Sequence, residues 1–205
     1  LAALFLVLVA LCDWYYAFYC LILTAVVFVV QALVRTTPPR GRVIGRSLAA
    51  LAGVWLAAGV ILSPLLLPMV REAQHANYMV PGPEQSRTLS ADLLAFVTPQ
   101  QFHPIWGEWA ARRSAAFSAT RSEYTVFAGY TALALAAAGL VTRWRRGLKA
   151  AWAAVALTFA VLALGPVLHI NGQTVLLSGG REIAMPYGLI GSLPFVNIMR
   201  SISRL

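Results

Sequence analysis

The sequence predicts an all-α fold: a polytopic transmembrane helix bundle with a structured extracytoplasmic loop and a short interfacial helix. Three observations carry this reading. Mean hydropathy is +0.73 and only 11% of the 205 residues are charged, against roughly a quarter in ordinary globular chains. Several apolar runs approach the ~20 residues that a helix needs to cross a bilayer. The basic residues are also clustered, four in RTTPPRGRVIGR (35–46) and four in RWRRGLK (143–149), and neither segment contains an acid.

The first apolar run, 1–34, is too long for one span, and Asp13 near its middle would be costly in hydrocarbon. It divides into a helix over about 1–12, read as truncated because the chain opens inside the run, and a second over 14–34 whose N-terminus Asp13 caps. Trp14, Tyr15, Tyr16 and Tyr19 then form an interfacial aromatic belt beside the turn. Further spans fall at 47–70, 124–141 and 150–168. Together they make one transmembrane domain over 1–205, read as a fragment of a longer protein. Pro64 and Pro68 should kink or loosen the outer end of the third span. Small residues four apart, Ala49, Gly53 and Ala57 on one span and Ala128, Ala132 and Ala136 on another, predict close helix–helix packing. Cys12 and Cys20 lack metal-ligand spacing and read as packing residues.

Orientation follows from the two basic segments, which the positive-inside rule assigns to the cytoplasm. Asp13, the loop 71–123 and the tail 169–205 then lie outside, as expected of a multi-pass integral membrane protein. Half of the 16 Lys and Arg are accounted for by topology, so the net charge of +9 does not imply nucleic acid.

The external loop is not disordered in composition. Ser90 is placed to cap a short helix with Asp92 in its first turn, and Leu93, Leu94, Phe96 and Val97 offer apolar contacts before Pro99 stops it. Trp106 and Trp109 suit the membrane interface. In VLHINGQTVLL (167–177) the Asn171-Gly172 pair between alternating residues is a hairpin signal. Arg200 and Arg204 lie one helical turn apart in the tail, a spacing at which two guanidinium groups can grip a phosphate or anchor a helix to anionic headgroups.

All three histidines and all seven acids fall on the external side of this topology. Asp92, His103 and Glu108 are the candidate catalytic groups, and their donor types also admit a divalent cation. Arg200, Arg204, His169, Trp106 and Asp13 are the candidate substrate contacts. No phosphate-binding loop, nucleophile elbow or HExxH helix is present, which removes support for nucleotide-driven chemistry in this stretch.

The segments DWYYAFYCLILT (13–24), SADLLAFVTPQQFHPIWG (90–107), VFAGYTALALAAAGL (126–140), LALGPVLHINGQ (162–173) and LPFVNIMRSISR (193–204) together resemble the later membrane helices of bacterial GT-C-type glycosyltransferases and their uncharacterised relatives. The resemblance implies transfer of a sugar from a polyprenyl-phosphate donor on the extracytoplasmic side. It further implies that this stretch supplies spans, an external cap and donor-phosphate contacts, with the principal catalytic acid upstream of Leu1. Where relatives carry a proline between two arginines, this chain reads Arg200-Ser-Ile-Ser-Arg204. Two readings of other classes stand beside it: a transporter or flippase of lipid-linked glycans, and a non-catalytic membrane assembly protein. Transporters tend to carry ionisable residues within spans along a pathway, whereas the complete spans between Ser47 and Leu168 contain no Asp, Glu, His, Lys or Arg, which favours a site above the membrane over a route through it. The expected partners are therefore membrane lipids and a lipid-linked sugar donor.

Overall fold

The computed structural model describes residues 1–34, 40–75, 87–117, 126–142, 146–176, 180–191 and 196. The described chain is mostly helical, and it divides into two compact units: 1–79 with 143–156, and 80–142 with 157–205. Two of its helices are long and apolar enough to cross a membrane.

The first unit is built on α1 (Ala2–Cys12), α2 (Trp14–Val34) and α3 (Arg40–His75). Asp13 separates α1 from α2 in an extended conformation, and its Oδ1 accepts the Tyr15 N–H at 2.9 Å, the capping bond that its position predicts. Leu6, Val7 and Ala10 of α1 pack with Ala17 of α2 and with Ala58 and Leu62 of α3. Alanine at three of these six positions lets the backbones approach closely, the packing mode of helices in lipid. Trp14, Trp55 and Leu66 close the edges of this core.

One expectation for α3 is corrected. The stripe Ala49, Gly53, Ala57 is exposed, and a Cβ on Gly53 would meet nothing within 4 Å. The packed face lies about 100° further round, because Ala58 and Leu62, not Ala57 and Gly53, meet α1. Ala128, Ala132 and Ala136 are exposed as well. Pro64 and Pro68 both lie inside α3, which continues through them to His75. Pro64 has no N–H for the Val60 carbonyl four residues back, and the Ser63 hydroxyl donates to that carbonyl instead, at 2.8 Å.

Within the loop lies α4 (Gly107–Ser114), and after it follow α5 (Tyr130–Val141), α6 (Arg146–Ala163) and α7 (Tyr187–Ile190). α5 has 12 residues, about 18 Å at 1.5 Å per residue, and starts later than the expected 124 because Gly129 at φ 96° forms its N-cap. α6 ends before the expected 168, where Gly165 at φ 74° and Pro166 stop it.

The second unit has a small strand system. β1 (His169–Ile170) pairs antiparallel with β2 (Gln173–Thr174), His169 opposite Thr174 and Ile170 opposite Gln173. Asn171 and Gly172, at φ 55° and 77°, form the turn that an Asn-Gly pair favours because both central residues need positive φ. Single bridges Val167–Ala184 and Leu176–Glu182 add a third segment. A 3-10 helix, Leu93–Phe96, completes the unit. Its cap is Asp92 rather than Ser90: Asp92 Oδ1 accepts from Leu94 N–H at 2.9 Å. Ser90 is instead fully buried, so close to Gly165 that a Cβ there would lie 1.9 Å from its hydroxyl oxygen.

Candidate functional site

Asp92 is 1% exposed, and both of its carboxylate oxygens are engaged by backbone N–H groups. Oδ1 accepts from Leu94, and Oδ2 accepts from Gly172 at 2.7 Å. Gly172 is held from its other side by Ala116, whose carbonyl oxygen would lie 1.6 Å from any Cβ added at the glycine. Three segments distant in sequence therefore converge on one turn. A buried carboxylate needs such donors, because an unpaired charge away from water is expensive.

The same latch is reinforced nearby. Asp92 and His169 form a parallel bridge, Ala91 N–H donates to Ala163 O at 3.0 Å, and Arg87 pairs with Glu182. His169 is 5% exposed, and its Nδ1 has no hydrogen-bond partner among the described residues. Both Asp92 and His169 are thus enclosed by protein.

His103 is placed differently. It is half-buried, and its Nδ1 accepts the N–H groups of Ile105 at 3.2 Å and Trp106 at 3.1 Å. With Nδ1 an acceptor, the neutral ring carries its proton on Nε2 and can donate from there. His103 lines an open pocket of about 410 Å³ together with Pro99, Gln100, Phe102 and Phe127. Phe127 stacks edge-to-face on Tyr130, centroids 4.7 Å apart, and the Tyr130 hydroxyl donates to Val97 O at 3.0 Å. The pocket wall is in this way tied to the 3-10 helix.

Directly after His103 the chain turns into α4. Glu108 is exposed in its first turn and Arg112 and Arg113 occupy its last, the charge order that complements the helix dipole. Trp106 and Trp109 meet edge-to-face at 6.5 Å. Both are partly exposed, and Phe102 is 82% exposed.

Among the predicted site residues, the structure thus separates a buried pair, Asp92 and His169, from an accessible group, His103, Trp106 and Glu108. No three His, Cys, Asp or Glu side chains among the described residues are grouped so as to hold a metal ion, so the donor types of Asp92, His103 and Glu108, which admit a divalent cation, are not gathered into a three-ligand set. Asp13 belongs to the first unit and serves as the cap of α2. Arg200 and Arg204 lie outside the described residues. Phe102 and Phe127 were not among the expected site residues. The available signal was their aromatic character, Phe102 next to His103 and Phe127 just ahead of the span that begins near Tyr130.

Comparison with known proteins finds no match to this chain among protein-family models, curated proteins or solved structures.

Proposed function

We propose that the chain is part of an integral membrane glycosyltransferase that uses a polyprenyl-phosphate-linked sugar on the extracytoplasmic side of the bacterial plasma membrane. The observation that carries the reading is the open pocket formed by Pro99, Gln100, Phe102, His103 and Phe127. Its aromatic rings offer faces for the C–H side of a sugar, while an amide and an imidazole offer hydrogen bonds to hydroxyl or phosphate oxygens. Its volume lies within the range of ordinary small-ligand sites, roughly 300–1,000 Å³. In this reading His103 is a hydrogen-bond donor to the donor substrate, Glu108, exposed in the first turn of α4, is the acid–base group, and the Trp106–Trp109 pair rests at the membrane interface. Asp92 and His169 take no direct part. They hold the turn and the 3-10 helix in place.

The test is binding of a short-chain polyprenyl-phosphate sugar to the full-length protein in detergent. His103→Ala and Phe102→Ala are each expected to weaken it about tenfold, the order of one lost hydrogen bond or ring contact. A full-length protein that does not bind the lipid-linked sugar, or variants that bind it as tightly as the parent, overturns the reading.

A further inference from the structure

A second cavity lies in the first unit, far from these residues in sequence. A groove of about 540 Å³ runs between α2 and α3, walled by Leu23, Val27 and Phe28 on one side, Ala50 and Leu51 on the other, and Trp152 of α6. α6 reaches this wall because its Gly147 sits against Val34, where an added Cβ would come within 3.1 Å of the Val34 side chain. Phe28, Gln31 and Ser47 also line a smaller hollow that continues toward Val43 and Ile44. The opening is therefore elongated along the helices, apolar through Leu23–Leu51 and polar at Gln31 and Ser47. The Thr24 hydroxyl in its wall is already spent on the Cys20 and Leu21 carbonyls, at 2.8 and 3.0 Å, and adds little polarity.

The polar end meets the first turns of α3, where Arg42 and Arg46 are exposed. Each precedes a lining residue by one position, Val43 of the smaller hollow or Ser47 of both openings, about 100° round the helix. They do not line the opening themselves, but they are four residues apart on one face of α3 and adjacent in sequence to residues that do. No acid occurs in α2 or α6, and the first acid of α3 is Glu72, so no carboxylate on these helices is near enough to neutralise them. The groove is apolar where a hydrocarbon chain would lie and cationic where a phosphate would sit.

We propose that the groove between α2, α3 and the start of α6 binds an anionic phospholipid, one acyl chain lying along Leu23, Phe28 and Leu51 and the headgroup phosphate held at Arg42 and Arg46. Basic pockets between membrane helices on the cytoplasmic side hold anionic headgroups for this reason, and RGRVIGR is the segment that the charge bias places there. The site is independent of the glycosyltransferase reading. It is an intramembrane lipid site contained within the first unit.

The full-length protein is reconstituted in phosphatidylcholine vesicles carrying a trace of chain-spin-labelled phosphatidylglycerol or, in parallel, equally labelled phosphatidylcholine. The fraction of motionally restricted label is read by electron paramagnetic resonance. The parent protein is expected to restrict both and to prefer phosphatidylglycerol. Arg42→Gln and Arg46→Gln should each reduce that preference about fivefold, the value of one basic residue near a phosphate layer, while leaving the restricted phosphatidylcholine unchanged. Ala50→Phe, which fills the groove, should reduce the restricted fraction of both lipids. The arginine variants are surface changes and keep the test valid if Ala50→Phe fails to fold. Absence of a phosphatidylglycerol preference, or a preference that survives both arginine changes, overturns the proposal. So does efficient disulfide formation between two copies of Ala50→Cys in a background lacking Cys12 and Cys20, which would show the groove covered by a second protein chain.

Discussion

The Asp92 carboxylate accepts the backbone N–H of Gly172 at 2.7 Å, joining positions 80 residues apart. The carboxylate is also the N-cap of Leu93–Phe96, so one buried side chain fixes both the helix start and the hairpin turn.

Two substitutions separate these roles. Asp92→Asn retains one acceptor oxygen but loses the charge and turns an amide toward an N–H, and should cost about 1.5–3 kcal/mol, the worth of a hydrogen bond to a charged group. Gly172→Ala should cost at least about 3 kcal/mol, because it adds positive-φ strain to a collision with the Ala116 carbonyl. Thermal unfolding of the purified protein in one detergent measures both. An Asp92→Asn protein with the parental midpoint would remove Asp92 from its structural role.

The Ser63 hydroxyl replaces the donor that Pro64 lacks. Ser63→Ala should therefore destabilise by about 0.5–1.5 kcal/mol. In a Pro64→Ala background, where residue 64 can again donate to Val60, the same change should cost almost nothing. The double-mutant cycle is the measurement, and equal costs in the two backgrounds would refute the coupling.

Packing of α3 gives a paired prediction. Ala10, 1% exposed between α1, α2 and α3, should not accept a leucine, and Ala10→Leu should destabilise by about 1–3 kcal/mol through overpacking. Gly53→Leu meets open space and should be neutral or slightly stabilising, since glycine inside a helix costs about 1 kcal/mol relative to alanine. Unfolding midpoints of the two variants decide between this face and the Ala49–Gly53–Ala57 face.

Orientation is tested by labelling. With Cys12 and Cys20 replaced, a cysteine at Gly41 should be shielded from an impermeant thiol reagent in intact cells and one at Gln100 should react. Labelling at Gly41 without permeabilisation would reverse the topology.

Much of the local structure was legible because its causes are local. Asp13 announces a cap by its position between two apolar runs, and Asn171-Gly172 announces its turn through the positive φ that both residues tolerate. Helix limits at Gly129 and Gly165 were legible in principle, from glycine and the following Pro166, yet the apolar runs continue through them and hydropathy alone overshoots. The packed face of α3 was not legible. Two stripes about 100° apart each read as small and apolar, and only the partner α1 selects Ala58 and Leu62. The pairing of Asp92 with Gly172, and of Arg87 with Glu182, depends on tertiary approach that no spacing encodes. That is why Asp92 looked like a candidate for chemistry. Its type fits catalysis equally well, and its burial appears only once the hairpin is in place.

The latch also orders events in time. Residues 87–92 leave the ribosome well before their partners at 163, 172 and 182, and at 5–20 residues per second the wait from Asp92 to Gly172 is about 4–16 s. During that interval the carboxylate has no Gly172 amide to receive, and the 3-10 helix has only its own first turn to hold it. The early loop must therefore remain solvated, or be sheltered by the insertion machinery, until α6 is complete and the hairpin arrives. Slow-translating codons or a stalled chain between Asp92 and Gly172 would lengthen the period in which this segment is open to proteolysis, with no change in the amino-acid sequence.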